Sequence, residues 1–339
     1  MQPDGDADAQ PGLRARAQAN LGESKRLRQS VYRLERLAAR GIATLLPSHL
    51  MRSKRVFDVW ERHGYHVLPA HFYEPVPDRS DLIRSIGSRS ELVGVDLAPE
   101  RQLELLQELR AWKHEYDALP REPGESDDGF YVGNTLFGAV DAEILYALIR
   151  QNKPHRIYEI GSGFSTLVSA RAGLANEAEG APRCELIAFE PYPSELLRRA
   201  VRGLTRIDAR RLQDVPLETF AELGEGDMLF VDSSHVVATG SDVCRELLEI
   251  VPRLATGVLV HVHDVFLPGE YPRKWLEDDH YFWTEQYLLQ AFLAFNDSFE
   301  VLWAGQYMHL EHPDALRTGF ASYGAEPASP GSFWFRRVR

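Results

Sequence analysis

Cysteine is scarce in this chain. Cys184 and Cys244 are the only two in 339 residues, too few for a disulfide framework or a thiolate zinc site, and they read as two apolar thiols in a reducing compartment. Long hydrophobic runs are missing too: none approaches the ~18 apolar residues needed to span a bilayer. The start, Met1-Gln2-Pro3-Asp4-Gly5-Asp6, is polar and acidic, whereas a secretory signal opens basic and turns apolar at once. No internal repeat is visible. Together these absences exclude disulfide scaffolds, integral membrane proteins and solenoids, and the expectation is a soluble, cytoplasmic protein.

Positive charge is also short. Lys and Arg number 38 against 50 Asp and Glu, for a net charge of -12, and an acidic balance argues against a nucleic-acid partner. The average hides a split. Residues 1–10 carry -3, residues 11–55 carry eleven Lys/Arg against Glu23 and Glu35 for +9, and the remainder carries -18. With 44% hydrophobic and 26% charged residues the chain is otherwise ordinary globular material.

Residues 1–22 are polar, without apolar period, and read as a disordered tail. From Ser24 to Leu46 the spacing of Leu27, Val31, Leu34 and Ala38 predicts a helix with arginines between the apolar positions. Such a basic amphipathic helix can pack on the chain's own acidic body, on an acidic partner or on an anionic membrane. Residues 23–128 read as a mainly helical accessory region, with helices over Val56–His63 and Pro99–Leu119. Over 129–339 strands and helices alternate. Strands are expected at Arg156–Ile160, Glu185–Phe189, Met228–Val231, Gly257–Val262, Phe299–Trp303 and Ser332–Arg336. The helices between them are Asp141–Arg150, Ser165–Leu174, Ser194–Arg202, Asp242–Leu254 and Thr284–Phe295. This rhythm predicts an α/β fold, a mostly parallel sheet covered by helices on both faces.

In such sheets ligands bind beyond the carboxyl ends of the strands. The first strand ends in Glu159-Ile-Gly161-Ser162-Gly163-Phe-Ser165-Thr166, a turn whose glycines let backbone approach a ligand and whose helix offers free N–H groups. The second ends at Glu190, suited to accept from ribose hydroxyls. A third ends in Asp232-Ser-Ser-His235 and a fourth in His261-Val-His263-Asp264. Each alone could be a turn former or a satisfied polar group. Four polar strand ends on one edge point to a ligand site.

Tyr158-Glu-Ile-Gly-Ser-Gly-Phe-Ser-Thr-Leu167 followed by Phe189-Glu190-Pro191 resembles the cofactor-binding motifs of class I S-adenosylmethionine-dependent methyltransferases. Phe230–His235 and Gly257–Pro272 resemble the later motifs of their small-molecule O-methyltransferase-like branch, as do Gly64–Tyr73 and Asn134–Asp141. The resemblance covers roughly residues 56–305 and implies a Rossmann-like seven-stranded sheet ending in an antiparallel hairpin. It implies S-adenosyl-L-methionine as cofactor, held by Glu159, Gly161, Ser162, Gly163, Ser165, Glu190 and Asp232. Ser165 stands where the family's motif usually has a third glycine, and a Ser there reads as a helix cap.

Metal-dependent members carry Asp, Asp and Asn ligands where this chain has Asp232, His263 and Asp264. Two readings follow. Either a divalent metal binds Asp232 and Asp264 with His235 or His263, or His263, oriented by Asp232 or Asp264, is a general base without metal. Phe266–Trp275 and His280–Trp283 then read as an aromatic lid, with Tyr271, Trp275 and Trp283 towards the substrate. The expected function is methylation of a small-molecule acceptor, most simply an oxygen of a sugar or secondary metabolite. The alternative is an inactive nucleotide-binding accessory or regulatory protein. A homo-oligomer stays open.

Overall fold

The computed structural model describes residues 32–45, 53–199, 201–324 and 329–339. The expected tail over 1–22 and the start of the helix expected from Ser24 lie outside them. The chain divides into two compact units, Met1–Asp78 and Arg79–Arg339. In the first, residues 32–45 form one helix and Lys54–Arg62 a second. Among the described residues, no helix is long and apolar enough to cross a membrane.

The second unit holds a seven-stranded sheet. Its strands are β1 (Arg156–Ile160), β2 (Glu185–Phe189), β3 (Arg206–Asp208), β4 (Met228–Val231), β5 (Leu259–Val262), β6 (Phe299–Ala304) and β7 (Phe333–Arg337), in the order β3-β2-β1-β4-β5-β7-β6. β7 alone runs antiparallel to its neighbours β5 and β6. The order reverses between β1 and β4, which opens a crevice at their carboxyl ends.

Alternation along the strands feeds two apolar cores. Ile157, Leu186, Phe230 and Trp334 join one, with helices Pro99–Leu109, Asp141–Asn152 and Phe164–Ala178. Tyr158, Ile187, Leu229 and Val260 join the other, with Val243, Leu247 and Leu289. Val301 and Trp303 of β6, two residues apart, belong to different cores because a register shift separates them.

Several elements differ from the expectation. β3 is an extra edge strand with a single apolar residue, Ile207. The helix expected over Ser194–Arg202 stops at Arg198, and Arg199 is extended. Shortly beyond it, Gly203 (φ +95°) passes so close to the next layer that a Cβ would lie 2.9 Å from the Ala170 carbonyl oxygen. The helix expected over Pro99–Leu119 breaks after Leu109 into a 3-10 turn and the short helix Lys113–Tyr116. β6 and β7 pair as expected of a hairpin, but helices Gly305–Glu311 and Pro313–Gly319 lie between them in the chain.

Candidate active site

The β1 turn is set by contacts beneath it. Gly161 sits at φ +86°, and a Cβ there would fall 1.9 Å from the Asp232 carbonyl oxygen. Only glycine lets the β1 turn lie against the end of β4. Glu159 is fully buried and accepts from the Ser165 hydroxyl at 2.5 Å, while its other oxygen has no hydrogen-bond partner among the described residues. Burial pushes its carboxyl up to about 8. Ser165 therefore does not cap the helix as its sequence position suggested: the helix starts at Phe164, and Ser165, in its first turn, turns inward to Glu159. The Thr166 hydroxyl accepts from the Gly163 N–H at 3.0 Å, and a Cβ on Gly163 would meet nothing within 4 Å.

Across the turn stands Glu190, just past β2. Its carboxylate accepts from the Tyr192 N–H at 2.7 Å and faces the Ser162 hydroxyl at 3.4 Å. An open backbone at Gly163, the start of a helix and a half-buried carboxylate on the next strand are the donor and acceptor set that a nucleoside with an amino-acid tail requires.

The ends of β4 and β5 carry a second cluster. His235 and Asp264 both adopt left-handed backbone conformations, φ +60° and +57°, which are costly for residues other than glycine and concentrate at functional sites. The buried His235 donates from Nδ1 to Glu285 Oε2 at 2.8 Å, and its Nε2 faces Asp232 at 3.3 Å and Asp264 at 3.6 Å. The N–H groups of Thr284 and Glu285 donate to its carbonyl, and Trp283 packs on its ring at 4.2 Å. Nδ1 of His263 faces Asp232 and Asp264, each at 3.6 Å, and its Nε2 faces Asp141 at 3.6 Å. The Asp141 carboxylate is fixed in turn by the Gly331 and Ser332 N–H groups at 2.8 and 3.2 Å.

Charges here support one another. Burial opposes ionisation of Asp232, yet His263 and His235 hold its carboxyl well below the usual carboxylate range. Burial likewise opposes a charge on His235, but its bonds to Asp232 and Glu285 push it up to about 10. Against the same opposition, Asp264 and Asp232 push His263 well above an ordinary imidazole. Burial raises the carboxyl of Asp264. His261 is different. It faces the same side as His263, with ring centroids 5.8 Å apart, but is stacked on Phe230 at 4.0 Å. Burial keeps it neutral, and its Nε2 meets the Ser332 hydroxyl at 3.0 Å.

One oxygen or nitrogen from each of Asp232, His235 and Asp264 fits within 4.8 Å of the others. That spacing, with an imidazole whose far nitrogen is held by a carboxylate, suits a divalent cation. Of the two imidazoles that sequence reading set beside Asp232 and Asp264, His235 is the one grouped with both carboxylates, and His263 lies beside that group and against Asp141.

A cleft of about 720 Å³ opens beside the cluster, with Asn134, Asp141, His263, Asp264, Trp275 and Ser322 among its walls. Trp275 borders it as expected of a lid. Tyr271 is buried instead, and its hydroxyl accepts from the Gln286 N–H at 3.2 Å. Trp283 packs behind Trp275 at 5.0 Å. Sequence reasoning missed Asp141 and Glu285. Asp141 opens a helix that looked like ordinary cover, and Glu285 lies fifty residues beyond its histidine, so spacing carried no signal for either.

Topology and strand-end chemistry thus define a Rossmann-like fold with a crevice at the ends of β1 and β4 beside an acid–imidazole cleft. A family described as a methyltransferase domain matches residues 158–265. An uncharacterized protein of Archaeoglobus fulgidus is 34% identical over 167 residues, covering 46% of this chain and 73% of that one. Among solved structures, an O-methyltransferase from Bacillus cereus in complex with SAH aligns over 70% of this chain and 90% of its own, at 13% identity and TM-score 0.35. The chain belongs to the class I S-adenosylmethionine-dependent methyltransferases.

Proposed function

We propose that this protein transfers a methyl group from S-adenosyl-L-methionine to an oxygen of a small-molecule acceptor held in the cleft, a sugar or a secondary metabolite. The observation that carries this reading is the adjacency of the two half-sites. Asp232 touches the Gly161 turn through its backbone and the His235–His263 cluster through its carboxylate. A binding or regulatory protein has no use for the second half.

Bound at the β1 turn, S-adenosyl-L-methionine would supply an electrophilic methyl carbon. Glu190 and Ser162 would hold its ribose, and the open backbone of Gly163 its amino-acid end. Glu159 acts through Ser165 by fixing the turn. The acceptor lies against Trp275, and much of the rate comes from holding nucleophile and methyl donor together. His263, on the cleft wall, is the group to take the acceptor's proton.

A specific observation favours a metal beside that base. One ligand atom from each of Asp232, His235 and Asp264 lies within 4.8 Å of the others, and the same carboxylates raise His263 above an ordinary imidazole against its burial. A divalent cation held by Asp232, His235 and Asp264 would offset that negative charge and so make His263 readier to act as base. The test is a labelled-methyl assay on a cell extract with mass spectrometry of the product, run with and without chelator. Loss of product on chelation and recovery on adding back Mn or Mg support the cation. Full activity in chelator leaves the metal-free base, and no labelled product from any extract contradicts the enzyme.

A further inference from the structure

Residues 32–45 carry a pattern that methyl transfer does not use. At 3.6 residues per turn, Leu34, Leu37, Ala38, Gly41, Ile42 and Leu45 fall on one arc of this helix, while Arg33, Arg36 and Arg40 fall on a separate arc that begins beside its Leu37 edge. Among the described residues the leucine arc has little cover: Leu34 is 67%, Leu37 62% and Leu45 80% exposed. The three arginines belong to the segment 11–55, which carries +9 on a chain of net -12.

We propose that this helix is an interfacial anchor that lays the enzyme on an anionic lipid surface. The leucine arc would enter the boundary between headgroups and acyl chains, with the arginines at the level of the phosphates. The flanking of the leucine arc by arginines selects this partner. An acidic protein face would engage the arginines and leave the leucines in water, or the reverse. A lipid interface takes both, because headgroups surround the flank of a helix whose apolar arc is immersed. The rest of the +9 segment adds charge on the same attraction. The anchor belongs to the unit Met1–Asp78 and contributes no residue to the candidate site.

The experiment is flotation of the full chain with vesicles of phosphatidylcholine, alone or mixed with phosphatidylglycerol. Binding is expected only to the mixed vesicles, weakening tenfold or more when salt is raised from low to about 0.5 M, because the Debye length shrinks. A Leu34→Ala/Leu37→Ala variant, which keeps helix propensity, and an Arg33→Gln/Arg36→Gln/Arg40→Gln variant should each bind at least tenfold more weakly. Both should keep the unfolding midpoint and the binding of S-adenosylhomocysteine by calorimetry. Three results would overturn the proposal: no binding to mixed vesicles, equal binding to pure phosphatidylcholine, or both variants binding like the parent chain. Light scattering gives a further contradiction, if the parent is an oligomer that the leucine variant dissociates, since a second copy would then cover the arc.

Discussion

Gly161 is the residue on which both half-sites depend. Its positive φ and a clearance too small for any Cβ mean that Gly161→Ala must push the β1 turn off the end of β4. Loss of S-adenosylhomocysteine binding in calorimetry, with the sheet intact by circular dichroism, is the expected outcome. Glu159 makes a second prediction. Its folded carboxyl is raised to about 8 from an ordinary value near 4.5, so between those values the folded state holds a proton that the unfolded state releases. Stability should therefore fall as pH rises through this window. Glu159→Gln should flatten that part of the profile, measured as urea midpoints at pH 5 and pH 8. His263→Ala should keep cofactor binding and lose activity by roughly 10²–10⁴-fold, as expected when a proton acceptor is removed.

At the scale of elements, strand ends were legible because parallel strands are short apolar runs and a polar residue closing one is conspicuous. β1, β2 and β4 read directly for that reason. β3, with the sequence Arg206-Ile207-Asp208, has no such run and pairs only with β2; its place is set by its neighbour. The clustering of Asp141, His263 and the 331–332 backbone was illegible, because it depends on a helix start meeting the segment before β7. Glu285 and His235 meet in the same way. One buried ion group ties helix Lys113–Tyr116 to the helices beside the sheet. Arg150, 1% exposed, bonds Glu115 through Nε and Nη2 at 2.7 and 3.0 Å, contacts Glu179 and Asn176, and packs its guanidinium on Trp112 at 4.4 Å. Arg150→Ala removes the cation beside Glu115, which keeps the Tyr146 hydroxyl at 2.7 Å, and should cost about 3 kcal/mol in denaturant unfolding. A loss below about 1 kcal/mol would show that these helices hold by apolar packing alone.

For the whole molecule, scarcity of cysteine and of long apolar runs bounded the class of protein, and the strand-end polar residues located its site. The acidic excess belongs to the part of the chain that carries the methyltransferase sheet, and the basic excess to a segment that contributes no residue to the site. Charge at this scale therefore bears on the proposed lipid anchor, and the strand ends bear on the proposed chemistry. The central claim is that the β1 turn binds the methyl donor, and titration calorimetry with S-adenosylhomocysteine tests it most directly. Saturable binding by the parent chain, lost in Gly161→Ala and weakened at least tenfold in Glu190→Ala, is the expected result. No heat and no thermal shift from a folded parent chain would contradict the account.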